Sequence, residues 1–372
     1  MPIDPVAIKR ETDIIEEFYC WHANIITIKR HKVLIFVNNR SRLVIIACHA
    51  KPSAFKNLGE LLEEGIRKLF AALCINADVI DEYIKNAGPC RIASTGTKSQ
   101  IGRMNLAAEE VNWYSIYFRK DTIFQTAVSV ELACNPYTEG KSFFVPQERL
   151  YEELCRTLGL QESEWDKVRS CKSYRLRVTL DLEKHNIYRI IEAPVYARFW
   201  QLHNAIQNAF GWFDYHLHMF IVYDGKVRER QKKEYYGYKE RLVILDHRDL
   251  EADDYKWNEG QVVVTDRSLL LSDVFEKNEG CVYTYDFGVD WEHVITVEER
   301  INGGGSTGFR LLEMQGERPP EDVGGEDSFE EYLRIISDEN DPEHESTLQW
   351  AELTKAESKT IEEINRKMET II

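Results

Sequence analysis

The chain has 372 residues, enough for two domains that each bury a core. Hydrophobic residues make up 43% and charged residues 30%, which are globular proportions and exclude a disordered polymer. Acidic residues number 63 against 47 basic ones, and the resulting charge of −16 argues against general coating of nucleic acid.

The opening stretch, Met1 to Asp13, is polar and lacks the apolar centre of a signal peptide. No apolar run approaches the ~20 residues that span a bilayer, so a cytoplasmic protein without membrane contact is expected. Asn24 to Ile28 and Val33 to Val37 are β-branched apolar runs flanking Lys29-Arg30-His31-Lys32, which predicts a hairpin. A third run, Leu43 to Cys48, follows the turn Asn38-Asn39-Arg40-Ser41. The period then changes. Leu58, Leu61, Leu62, Ile66, Leu69, Phe70 and Leu73 recur at helical spacing. A second helix is expected from Asp78 to Asn86, closed by Gly88-Pro89. After it come a short strand at Cys90 to Ala93, a polar loop from Ser94 to Gln100 and a helix near Met104. Asn135 to Lys141 reads as loop, and Gln147 to Leu158 as helix.

A boundary is expected between Gly159 and Lys172, where Gln161-Glu162-Ser163-Glu164 is polar. Beyond it, Tyr174, Leu176, Val178, Leu180 and Leu182 alternate with polar residues, the mark of a half-buried strand. An amphipathic helix follows Pro194, with Phe199, Leu202, His203, Ile206, Ala209 and Phe210 on its inner face and Gly211 closing it. Strands are expected at His216 to Tyr223 and Val262 to Thr265, with a charged insertion between them, and a short helix at Ser268 to Phe275. A tight hairpin joins Cys281–Phe287 to Trp291–Val297. Three helices end the chain, near Ser328–Ile336, Glu343–Leu353 and Ile361–Ile371. The fold class read from this pattern is α+β, with domains at 1–160 and 172–372, each a mostly antiparallel sheet packed with helices.

Several segments of the second half have a specific family character. They are Tyr174 to Leu182, Phe199 through Trp212 to Phe220, Tyr285-Asp286-Phe287-Gly288-Val289-Asp290-Trp291-Glu292-His293, and Pro319-Pro320-Glu321-Asp322-Val323-Gly324-Gly325. In order and spacing they resemble the plasmid pRiA4b ORF-3-like family over nearly all of 172–370. The resemblance implies a fold and a plasmid or mobile-element neighbourhood, and it brings no established biochemistry. Members often carry cysteines around Pro-Pro-Glu-Asp; here Leu312 and Val323 stand there, so no zinc role for that segment is implied. The first half, through Trp21 to Ile28, Lys32 to Asn38 and Ile101-Gly102-Arg103-Met104-Asn105, resembles an uncharacterised domain family over about Phe18 to Leu150.

Several motifs fail on context. Gly303-x-Gly305-x-x-Gly308 has dinucleotide-loop spacing but leads into Phe309 to Met314, which is not a helix, and reads as a hairpin tip. Asp286-Phe287-Gly288 lacks a kinase catalytic loop before it, and Gly96-Thr97-Lys98-Ser99 lacks the glycines of a P-loop. None of the eight cysteines forms a Cys-x-x-Cys pair, so neither a zinc ribbon nor a disulfide framework is implied.

One constellation survives. His216 and His218, two apart on an expected strand, project from one face. The hairpin adds Asp286, Asp290, Glu292 and His293 as cleft candidates. Of these, His216, His218, Glu292 and His293 are the candidate ligands for a divalent metal, and ordinary packing is the competing reading. His203 reads as a satisfied core histidine. Lys226, Arg228, Arg230, Lys232 and Lys233, beside Tyr235-Tyr236, are the nucleic-acid candidates, diluted by Glu229 and Glu234. From Glu317 to Glu345, twelve acidic residues stand against two basic ones, either a solvated face or a dock for a basic partner. The leading expectation is a non-enzymatic binding or adaptor protein with a protein partner and weak nucleic-acid binding at most. The alternative is a metal-dependent hydrolase, possibly acting on nucleic acid, built on the His/carboxylate cluster.

Overall fold

A computed structural model of the chain describes residues 16–48, 57–93, 97–225, 239–249, 261–354, 359–369 and 371. The chain divides into two compact units, Met1–Ser170 and Cys171–Ile372. Both are α+β, with helices packed on mostly antiparallel sheets. No described helix is long and apolar enough to cross a membrane.

The first unit is built on a three-stranded antiparallel sheet, β1 (Trp21–Ile28), β2 (His31–Asn38) and β3 (Val44–Cys48). The charged tetrad shrinks to a two-residue turn, because Lys29 and Arg30 both take left-handed φ, 45° and 70°. The predicted stripe forms α1 (Leu58–Ala72), which rides close on β3: a Cβ on Gly65 would meet Ile45 at 2.6 Å. Helix α2 (Ala77–Ala87) ends at Gly88 as expected. Cys90 to Ala93 is not a strand. The next helix, α3 (Lys98–Trp113), starts inside the segment expected as loop, because Thr97 and Gln100 form a capping box. An unforeseen helix, α4 (Thr126–Cys134), buries Ala127, Val128, Ser129, Val130, Leu132 and Ala133, so its sequence shows no stripe. The expected loop at Asn135–Lys141 contains β4 (Tyr137–Glu139), paired with β5 (Ser142–Phe144) ahead of α5 (Pro146–Thr157).

The second unit is one eight-stranded sheet. Its strands are β6 (Cys171–Leu180), β7 (Ile187–Pro194), β8 (His218–Tyr223), β9 (Glu240–Leu245), β10 (Val262–Thr265), β11 (Gly280–Tyr285), β12 (Trp291–Gly305) and β13 (Arg310–Gln315). They lie in the order β10-β9-β8-β11-β12-β6-β7-β13, and among the described strands only β9 and β10 run parallel. Strands β7 and β9 have no counterpart in the sequence reading. In β7 the alternation is broken by Arg189 and Glu192, which are nevertheless buried. Arg189 donates to the Ala209, Tyr188 and Gln315 carbonyls, and Glu192 accepts from Ser173 Oγ and the Ser306 amide. The Gly303–Gly308 segment is not a hairpin tip, because β13 pairs with β7, two strands away from β12.

Helix α6 (Phe199–Phe210) buries its predicted face on the sheet, and Gly211 closes it at φ 77°. A short helix, α7 (Leu271–Phe275), and the three closing helices, α8 (Glu326–Ser337), α9 (His344–Thr354) and α10 (Ile361–Met368), complete the unit. The sheet face that carries Tyr283, Tyr285, Trp291 and Ile295 shares one core with α6. Ile221, Tyr223, Val282 and Val294 form a smaller cluster on the other face.

Candidate functional site

The site lies where β8, β9, β10 and β11 meet α6. Strand β8 begins only at His218, and His216 sits in a bend before it, so the two rings do not share a face as the sequence suggested. His218, Tyr283, Tyr285 and His293 project toward α6. Glu292 pairs with Thr284 in register and faces the opposite side. The set His216, His218, Glu292 and His293 therefore does not assemble. Among the described residues, the groups close enough to hold a metal ion are His216 with Asp286 and Asp322, and His218 with Asp246 and Asp266.

The second group is wholly buried. The side chains of Asp246 and Asp266 are 0% exposed, and that of His218 is 1% exposed. Asp246 follows β9 and Asp266 follows β10, so the parallel pair ends in two adjacent carboxylates. His218 Nδ1 lies 3.0 Å from Asp246 Oδ2, and Nε2 lies 3.2 Å from Asp266 Oδ2. Both contacts are close, yet neither oxygen lies in line with its ring N–H direction, so the ring makes no aligned hydrogen bond. Burial opposes charge on His218, but the two carboxylates outweigh it and raise its pKa. Burial likewise pushes the Asp246 carboxyl up, and contacts with His218 and Arg248 reverse that and hold it well below the usual range.

A hydrogen-bonded chain surrounds this centre. Arg248 grips both oxygens of Asp246 at 2.7–3.0 Å and reaches Asp214 at 2.9 Å. His247 Nδ1 lies 3.0 Å from Asp266 Oδ1. His203 stacks on His218 with ring centroids 3.7 Å apart and planes 8° from parallel. Burial and the neighbouring His218 lower the pKa of His203 to about 4. A neutral ring fits its partners: Tyr283 Oη accepts from Gln207 and donates to His203 Nδ1, while Nε2–H donates to Asp214. His203 is thus buried and fully partnered, the role expected of it, and it also lies against the centre.

The first group forms the rim. His216 Nε2 lies 3.0 Å from Asp322 Oδ1, and Nδ1 lies 3.7 Å from Asp286 Oδ1. The His216 side chain is 30% exposed and that of Asp322 58%. Below the rim, Tyr285 donates to Glu321 at 2.8 Å, Glu321 accepts the Phe213 amide, and the Tyr215 amide donates to Tyr285 Oη. Arg318 lies 4.5 Å over the Trp212 ring and donates to the Gly211, Pro319 and Thr354 carbonyls. These contacts fasten the 211–217 segment to the Pro-Pro-Glu-Asp turn.

The hairpin turn takes its left-handed conformation from aspartates. Its left-handed positions are Asp286 (φ 63°) and Asp290 (φ 54°), and Gly288 is not among them. Asp290 is exposed at the turn and Phe287 is only half-buried, so Tyr285 and Trp291 anchor this end in the core, with Val289 packed against it. His293 is enclosed: Nδ1–H donates to the Trp291 carbonyl at 2.9 Å, and Trp212 Nε1 approaches Nε2 at 3.4 Å. Lys226, Arg228, Arg230, Lys232 and Lys233 lie outside the described residues. Sequence reasoning missed Asp246, Asp266, Asp214 and Arg248. The available signal was two apolar runs, Leu242–Leu245 and Val262–Thr265, each followed directly by Asp.

The second unit thus defines a class: a mostly antiparallel α+β sheet with a buried ionic centre beneath an acidic rim. Residues 172–363 match the plasmid pRiA4b ORF-3-like protein family, and the chain belongs to that family. Residues 1–149 match a domain of unknown function, DUF6933. The chain is 30% identical over 176 residues to the uncharacterised protein y4hQ of Sinorhizobium fredii, covering 47% of this chain and 79% of that protein. It is 26% identical to a crystallised protein of unknown function from Methanosarcina mazei Go1, covering 52% of this chain and 97% of that one at a TM-score of 0.40.

Proposed function

We propose that this is a non-enzymatic binding or adaptor protein whose second unit takes a basic segment of a protein partner at the His216–Asp286–Asp322 rim. One observation carries the reading. Two of the three nominated imidazoles, His218 and His293, are enclosed among protein groups, and the half-exposed His216 stands beside two carboxylates. What this rim offers solvent is a set of acceptors suited to an ammonium or guanidinium group, not a nucleophile with its base. The acidic tract adds to the same field only in part, because Glu330 pairs with Lys184 and His185, and Glu331 and Asp341 pair with Arg334. The mobile-element setting rests on the family description alone.

The hydrolase reading keeps one supporting observation, since the same three residues form a partly open His/carboxylate group. Calorimetric titration with a Lys/Arg-rich peptide and an acidic peptide, on the wild type and on Asp286→Asn/Asp322→Asn, separates the two readings. The expected result is binding of the basic peptide only, weakened about tenfold in the double variant and by added salt. Cleavage of nucleic acid or phosphodiesters in the presence of manganese or zinc, lost in the same variant, would establish the hydrolase instead. Tight, salt-sensitive DNA binding would overturn the expected weak nucleic-acid affinity.

A further inference from the structure

We infer that the buried centre formed by His218, Asp246 and Asp266 is a structural site for one divalent transition metal, zinc or manganese. This goes beyond the partner-binding reading and does not depend on it.

Charge is the first argument. Among the described residues, the ion pairs of Asp246 and Asp266 run to one guanidinium, Arg248, and otherwise to the imidazoles of His218 and His247. Arg248 is shared with Asp214. Three carboxylates, of which Asp214 is partly exposed, face one guanidinium and the His218 ring, which leaves at least one uncompensated negative charge in a place where Asp246 and Asp266 have no exposure to water. Buried carboxylates are retained when they are paired or bind a metal, and a divalent cation supplies the missing charge.

Geometry is the second and independent argument. Ligand atoms that share a tetrahedral ion at about 2.0–2.2 Å stand about 3.0–3.5 Å apart, with each oxygen well off the axis of the nitrogen lone pair. His218 is buried, and its two nitrogens lie 3.0 and 3.2 Å from carboxylate oxygens without hydrogen-bond alignment. One ring nitrogen and one oxygen from each carboxylate already lie within 4.8 Å of one another. An ion on either nitrogen needs the farther carboxylate to draw in to reach those separations.

The outer contacts are those expected around metal ligands. The Oδ1 atoms are held from behind, that of Asp266 by the His247 amide and ring and that of Asp246 by the Arg248 amide and guanidinium. Each Oδ2 faces His218; that of Asp246 also accepts from the Arg248 guanidinium at 2.7 and 2.9 Å, and that of Asp266 lies 3.2 Å from His247 Nδ1. Such outer partners fix ligand orientation. One imidazole with two carboxylates suits zinc or manganese. Full burial makes the site closed, and a closed site is structural rather than catalytic.

The test uses the full-length chain and three readouts. Elemental analysis of the purified protein should find about one equivalent of zinc or manganese. Stripping with a chelator should lower Tm by about 5 °C or more, and stoichiometric zinc should restore it. Cobalt added to the stripped protein should give the visible absorption of a low-symmetry, four- or five-coordinate ion. His218→Gln and Asp266→Asn should abolish that absorption, and Asp322→Asn, at the rim, should retain it. A wild-type protein that takes up neither zinc, manganese nor cobalt, or whose Tm ignores them, overturns the inference. So does a cobalt spectrum that survives in His218→Gln and Asp266→Asn but disappears in Asp322→Asn, which places the ion at the rim. If both variants at the centre fail to fold, wild-type uptake and the Tm response, with Asp322→Asn as control, decide the question. Basic-peptide binding that persists after chelation keeps the two readings separable.

Discussion

His293 shows how one buried residue carries both an expectation and its correction. Its neighbours in the hairpin make it look like a ligand, yet its Nδ1–H is committed to the Trp291 carbonyl and its other nitrogen faces Trp212. Burial drives its pKa down to about 3, against about 6.5 for an exposed imidazole. Between these values the unfolded chain binds a proton that the native state does not. The stabilising effect of keeping this ring neutral is therefore complete above pH ~6.5 and is lost as pH falls toward 3, with an upper bound of about 5 kcal/mol. His203, lowered to about 4, acts in the same direction. Urea titrations at several pH values should show stability falling across this window in the wild type and falling less steeply in His293→Gln. Parallel slopes in the two proteins would mean that His293 does not carry the effect.

Among the elements, the α6 helix and the 285–291 turn show when a glycine is required. Gly211 ends α6 at φ 77°, where a side chain strains the backbone. Gly288 lies outside the left-handed region, and a Cβ there would meet only Asp286 Oδ1, at 3.2 Å. Gly211→Ala should cost about 1 kcal/mol, and Gly288→Ala well under half of that. Thermal unfolding of the two variants checks the order, and a larger loss at Gly288 would contradict this account of the turn. The same contrast shows what was legible. The apolar face of α6 follows from its 3.6-residue period, and Gly211 follows as its stop. Glycine is the usual left-handed residue, which makes Gly288 the natural turn position on sequence grounds. In fact Asp286 and Asp290 take those positions, and the Asp286 carboxylate accepts the Gly288 amide.

For the molecule as a whole, the chain divides at Ser170 and Cys171, just after the polar stretch Gln161–Glu164, into two units that each contain a sheet, helices and a buried cluster. We expect each unit to fold by itself, with domains close to 1–160 and 172–372. Brief digestion with a glutamate-specific protease should cut at Glu162 or Glu164 and leave two fragments resolved on a reducing gel, each with its own cooperative melt. Loss of structure in both fragments after that single cut would show that the units depend on each other.

The sequence by itself determined the two-domain α+β class, the family of the second half, the α6 face and most hairpin strands, because these rest on local period and turn chemistry. It could not determine α4, β7 or the ionic centre. Helix α4 is buried nearly all round and shows no stripe, and β7 hides Arg189 and Glu192 whose partners come from distant segments. Asp246 and Asp266 are 20 residues apart in sequence, and His218 precedes both by far more than a helical or strand repeat. Only the pairing of β8 with β9, and of β9 with β10, brings the three together. Sheet register is a long-range property set by which faces bury, and it alone brings the carboxylates at the ends of two parallel strands beside His218.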